Sequence, residues 1–68
     1  SEPASQLRRK VNLYLSSGAR LVWVVYPDLA EVHVFAADGS IRVLRPGETL
    51  TAEDVLPGFE LPVSAIFA

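Results

Sequence analysis

Five consecutive apolar, β-favouring residues, Leu21-Val22-Trp23-Val24-Val25, constrain this chain more than anything else in it. A strand with one face in water alternates apolar and polar side chains. This run does not alternate, so it predicts a strand covered on both faces, in the middle of the fold. Arg20 bounds it on one side and Tyr26-Pro27-Asp28 on the other. Pro27 stops the strand, because proline lacks an amide hydrogen and fixes φ. Trp23 is then expected in the core, where its loss would unfold the chain.

Sixty-eight residues make one domain. A core of that size supplies about 3–5 kcal/mol unless a staple reinforces it. There is no cysteine, hence no disulfide and no thiolate metal site, and a single histidine argues against structural zinc. Hydrophobic residues are 50% of the chain, a large share for an unstapled one, and the sequence opens on Ser1 rather than methionine. The expectation is that residues 1–68 are one small domain cut from a larger one, or one that relies on a partner subunit. The formal charge is −2, from eight acidic and six basic side chains, without the basic excess of a dedicated nucleic-acid binder. No apolar run approaches the ~18 residues of a membrane span, no signal-peptide pattern is read, and the lack of cysteine fits the cytoplasm, the expected location, but fits other places as well.

Around the central run the chain reads as follows. Residues 3–17 predict a helix, with Ala4, Leu7, Val11, Tyr14 and Leu15 on one stripe and Arg8, Arg9, Asn12 and Ser16 opposite. Ser1 or Ser5 is a candidate cap, Pro3 suits the first turn, and Gly18 suits the left-handed end. Leu13 lies off the stripe. Residues 20–26, 31–36 and 41–45 predict three strands in a meander. A two-residue turn at Asp38-Gly39 would set Ala36 opposite Ile41, Val34 opposite Val43 and Val32 opposite Arg45. Val32, Val34, Ile41 and Val43 would then form the core face, with His33, Phe35, Arg42 and Leu44 on the other. After Arg45, three prolines exclude a long regular element. An extended arm is expected to lay Leu50, Val55, Leu56, Phe59 and Leu61 over the sheet, with Ser64 capping a last turn that holds Ile66 and Phe67. A three-stranded meander leaves two open edges, and residues 20–26 are too apolar for one. Something should pair with them.

The residues that carry chemistry are few. Glu31 and His33 share a strand face, but two groups do not make a metal site, and His33 is expected half-exposed. Pro27-Asp28 followed by Glu31-Val32-His33 has the outline of a metal-nuclease motif. Its acidic residues flank a tight turn, however, and the third position is histidine rather than lysine, so turn chemistry accounts for the pair. Arg8-Arg9-Lys10 is a basic triplet on the helix: Arg8 and Arg9 point away, while Lys10 lies beside the apolar stripe, one turn before Tyr14. Glu48, Glu53, Asp54 and Glu60 coat the arm. The four glycines are isolated, so there is no phosphate-cradling loop.

One ordered set of short motifs goes further: Lys10-x-x-x-Tyr14-Leu15-x-x-Gly18, Val22-Trp23-Val24-Val25-x-Pro27, Val32-x-Val34-Phe35, Asp38-Gly39, Leu44-x-x-Gly47-Glu48-x-Leu50 and Val55-Leu56-Pro57-Gly58-Phe59-x-Leu61. Together they resemble the C-terminal portion of the Uma family, restriction-endonuclease-like proteins of the PD-(D/E)XK superfamily. The resemblance implies a mixed sheet with flanking helices, DNA as the substrate, and Mg²⁺ or Mn²⁺ held by carboxylates on strands upstream of the helix at residues 3–17. Those strands would lie beside residues 20–26. Lys10 matches a helical lysine and is the one candidate active-site residue that the resemblance carries over. Tyr26 stands where such proteins often have aspartate.

The expected fold is therefore α+β, an N-terminal helix packed on a three-stranded antiparallel meander with a proline-rich C-terminal arm. Two functions follow. One is the C-terminal part of a metal-dependent DNA-cleaving protein, inactive alone for want of its carboxylates, with no cofactor expected in this chain. The other is a non-catalytic dimerisation or protein-interaction module. In both, a second copy or an N-terminal segment pairs along residues 20–26.

Overall fold

The computed structural model describes residues 3–52 and 55–68. Helix α1 spans Ala4–Ser16, followed by strands β1 (Leu21–Tyr26), β2 (Glu31–Ala36) and β3 (Ile41–Leu44). Two short strands, β4 (Thr49–Thr51) and β5 (Glu60–Pro62), and a closing turn of helix, α2 (Val63–Ile66), complete the order. β1, β2 and β3 form an antiparallel sheet in that order, and β4 pairs with β5 in a separate ribbon. The fold is α+β, with the N-terminal helix contacting the three-stranded sheet as expected.

Helix α1 ends where Gly18 takes φ +110°. The Ala19 N–H bonds back to the Tyr14 carbonyl and the Gly18 N–H to that of Leu15, the paired bonds that satisfy a helix end. At the start, Pro3 is the cap and makes no side-chain bond, and Ser5 lies inside the helix. Ser1 lies outside the described residues. Val11 is the helix residue that buries fully, while Tyr14 and Leu13 are exposed. Arg8 does not point away. Its guanidinium carbon lies 4.9 Å from the centre of the Phe35 ring, which fixes the sheet face under the helix.

The β2–β3 hairpin differs from expectation by one residue. Phe35 pairs with Ile41, Val34 with Arg42, His33 with Val43 and Val32 with Leu44. The turn holds three residues, Ala37-Asp38-Gly39. The Gly39 N–H bonds to the Ala36 carbonyl, the Ala36 N–H to that of Ser40, and Gly39 takes φ +94°. That is a type I turn closed by a left-handed glycine bulge, the usual three-residue solution. Because side chains alternate strictly, the slip exchanges partners on both faces. One face now carries Trp23, Val25, Val32, Val34 and Leu44, and the other Val24, Phe35, Val43 and His33.

The first face holds the larger core. Val32, Val34, Leu44, Leu50 and Val63 are buried together, with Leu21, Phe59, Leu61, Ile66 and Phe67 packed around them. The arm reaches this face as a β4–β5 ribbon rather than a single extended segment. The Val63 N–H bonds to the Glu48 carbonyl and pins its end. Leu50, Phe59 and Leu61 pack as expected, but Val55 and Leu56 are exposed, lining a shallow pocket beside Leu21 and Trp23 of β1 instead of packing into the core. Ser64 is not a cap; α2 begins after Pro62, again without a side-chain bond. Glu53 and Asp54 lie outside the described residues.

β1 is the element on which expectation and structure differ most. It is an edge strand, and none of its residues is buried. The α1 side is half covered at Val22, Val24 and Tyr26, whereas on the other side Trp23 is 38% and Val25 45% exposed. Phe59 covers part of Trp23, its ring 5.5 Å away and stacked.

Candidate functional site

Lys10 lies in the second turn of α1, with its side chain exposed and engaged in an interaction of its own. Sequence alone put it beside the apolar stripe. The buried stripe residue next to it is Val11, so Lys10 sits at the margin of the helix–sheet contact.

The densest polar constellation lies elsewhere, at the end of the sheet near the β1–β2 turn. His33 Nε2 and Glu31 Oε1 are 2.9 Å apart, as their shared strand face led one to expect. Arg45 donates from Nε to Glu31 Oε2 at 3.1 Å, and its Nη2 lies 3.0 Å from the same oxygen. The Tyr26 ring leans on the imidazole, with centroids 4.4 Å apart. The His33 hydrogen bond, and then the Arg45 charge, hold the Glu31 carboxyl below its ordinary value, against the opposing effect of desolvation. Arg45 escaped the sequence reading because the expected register set it opposite Val32. The three-residue turn sets position 45 opposite position 31 instead, and the signal for it was the glycine as third residue of Ala37-Asp38-Gly39.

The remaining carboxylates of the described residues are scattered. Asp38 Oδ1 accepts the Ser40 N–H at 2.8 Å, which lowers its pKa. Glu48 Oε1 accepts the Arg45 N–H at 3.0 Å. Asp28 lies in the turn after β1 and Glu60 in β5. A cavity of about 280 Å³ opens beside Leu21 and Val34 with Asp38, Ser40 and Arg42 at its rim, and among the described residues that line it the one carboxylate is tied to Ser40. Mg²⁺ and Mn²⁺ need several oxygen ligands converging on one point. Among the described residues no three His, Cys, Asp or Glu side chains come together, so these residues do not fit such an ion.

The model of the Uma2 family, described as a putative restriction endonuclease, matches residues 1–64. The chain belongs to the Uma2 family. No curated protein and no solved structure matched it in the same comparisons. Family membership accords with the motif order above, from the helix with Lys10 to the Leu56-Pro57-Gly58-Phe59 segment. Among the described residues of this Uma2 chain no helix is long and apolar enough to cross a membrane.

Proposed function

We propose that this Uma2 chain is the scaffold portion of a metal-dependent, restriction-endonuclease-like DNA phosphodiesterase and does not cleave DNA by itself. The observation that carries the reading is the state of its carboxylates. The chain belongs to a family described as putative restriction endonucleases, yet Glu31, the half-buried acid among the described residues, has both oxygens occupied by His33 and Arg45. The acids that would hold Mg²⁺ or Mn²⁺ then come from another polypeptide segment. Lys10 is the one group this chain would bring to the reaction, a cation beside the negative charge that develops on the phosphoryl oxygens. A cytoplasmic chain accords with this reading, since the sequence has no cysteine and uses no disulfide.

A cleavage assay on plasmid DNA with Mg²⁺ or Mn²⁺ tests it. The expected result is no chelator-sensitive nicking by this chain. When the chain is joined to a segment bearing the acidic strands, nicking should appear, and Lys10→Met should reduce it by about 10²–10⁴-fold. Metal-dependent cleavage by the chain alone would overturn the reading. The competing reading, a purely non-catalytic interaction module, is favoured by the open edge of β1. It gains if the joined protein also fails to cut while binding its partner.

A further inference from the structure

The charges of this chain are segregated. α1 carries Arg8, Arg9 and Lys10 and no acidic residue, a net +3. Of the six basic and eight acidic side chains in the whole sequence, the rest of the chain therefore holds three basic and all eight acidic ones, a net −5. The overall charge of −2 conceals a basic helix. An α-helix turns about 100° per residue, and Val11 is the helix residue buried against the sheet, so Arg9 lies about 160° around the axis from it and points outward. Ser5, Gln6, Asn12, Leu13 and Ser16 share that outward half, and all are exposed. Ser16 gives its hydroxyl hydrogen to the Leu13 carbonyl. The face is thus one arginine among hydroxyls and amides, with Leu13 as its apolar member and no carboxylate. Arg9 pairs with no acid among the described residues. Arg8 and Lys10 flank it on either side. Arg8 rests its guanidinium on the Phe35 ring, and a stacked guanidinium keeps its N–H edge for an anion. A strand added beside β1 would extend the sheet in its own plane, on the Val11 side of the helix, and would leave this outward face in water.

We propose that the outward face of α1 lies against the phosphate backbone of duplex DNA, with Arg9 at its centre as the principal phosphate contact and Arg8 beside it. The choice of DNA rests on the reading of the chain as part of a DNA phosphodiesterase, whereas the placement on α1 rests on the charges. Most protein–DNA hydrogen bonds go to phosphate and sugar, and they come from Arg, Lys, Ser, Asn and Gln side chains and their like. Those are the side chains that this face presents. A lipid surface fits less well, because an interfacial helix puts its apolar side into the membrane and the apolar side of α1 is buried on the sheet. Contact at Arg9 also holds Lys10, the following residue, beside the same backbone. A phosphate contact of this kind positions the duplex and reads no sequence.

The test is fluorescence anisotropy of a labelled duplex of about 20 base pairs titrated with this chain, in chelator, at about 20 to 150 mM salt. Each phosphate neutralised contributes about −0.9 to the slope of log affinity against log salt, so two or three contacts give a slope of about −2 to −3. Arg9→Gln, at an outward position, should keep the melt cooperative, reduce the slope by about 0.9 and weaken binding about tenfold at about 50 mM salt. Arg9→Lys, which keeps the charge, should restore most of both. Arg42→Gln removes the same charge from β3, on the opposite face of the sheet from α1, and should change neither. The absence of salt-dependent binding would overturn the proposal. So would equal losses in Arg9→Gln and Arg42→Gln, which would make the attraction one of net charge, or association with phosphatidylserine vesicles in place of the duplex. Cleavage by the joined protein that is indifferent to Arg9→Gln would sink this inference and leave the catalytic reading standing. Arg9-dependent binding with no cleavage by the joined protein would sink the catalytic reading alone.

Discussion

Glu31 ties together the end of the sheet where β1, β2 and β3 converge. One carboxylate oxygen meets His33 on its own strand and the other meets Arg45 just beyond β3, while Tyr26 from β1 lies against the imidazole. Its folded-state pKa is depressed, by the His33 hydrogen bond first and Arg45 after it. A depressed carboxyl contributes stability that is fully present above its unfolded value, here 4.5, and is lost as pH falls through the folded value. Chemical denaturation between pH 6 and pH 3 should therefore show stability falling on acidification, with Glu31→Gln flattening that fall while leaving the rest of the slope to groups such as Asp38. An unchanged slope in Glu31→Gln would mean that the cluster contributes nothing to folding. Ala30 is the other notable residue. It takes φ +53°, a left-handed conformation that costs a non-glycine residue about 1–2 kcal/mol, and the strain is held by the turn that links β1 to β2.

At the scale of elements, β1 has the composition of a central strand and the position of an edge. Its apolar run satisfies the helix side through Val22 and Val24, and Trp23 reaches across the other side to stack on Phe59. Since Trp23 keeps 38% of its surface in water, Trp23→Ala should cost about 2–3 kcal/mol, the stacking and the covered part of the ring, less than full burial would. The expected measurement is a cooperative thermal melt at lower temperature, in contrast to the unfolding that a fully buried tryptophan would entail. A chain already unfolded at 20 °C would show instead that β1 is the true centre of the core.

The whole molecule is a sheet between unequal covers. α1 lies on one face with Val11 and Phe35 between, and the β4–β5 ribbon with α2 lies on the other, enclosing Val32, Val34, Leu44, Leu50 and Val63. Within the ribbon, Leu50 is 1% exposed. Leu50→Ala should cost about 2–5 kcal/mol, comparable to the ~3–5 kcal/mol available to so small a core, and should leave the chain largely unfolded by circular dichroism. A folded Leu50→Ala variant would make the arm a dispensable wrapping.

Sequence alone determined the elements whose cause is local: the 3.6-residue stripe and the Gly18 stop of α1, the apolar run and Pro27 stop of β1, the shared face of Glu31 and His33, and the family, carried by motifs spread from Lys10 to Leu61. What tertiary structure decided depends on a backbone conformation or a distant neighbour. One left-handed glycine lengthened the hairpin turn by a residue and brought Arg45 to Glu31. The β4–β5 ribbon formed because Leu50 and Val63 found the sheet, which no local pattern announces in three-residue strands. The exposure of Trp23 and Val25 followed from strand order, for an apolar sequence specifies that a surface must be covered without specifying by what.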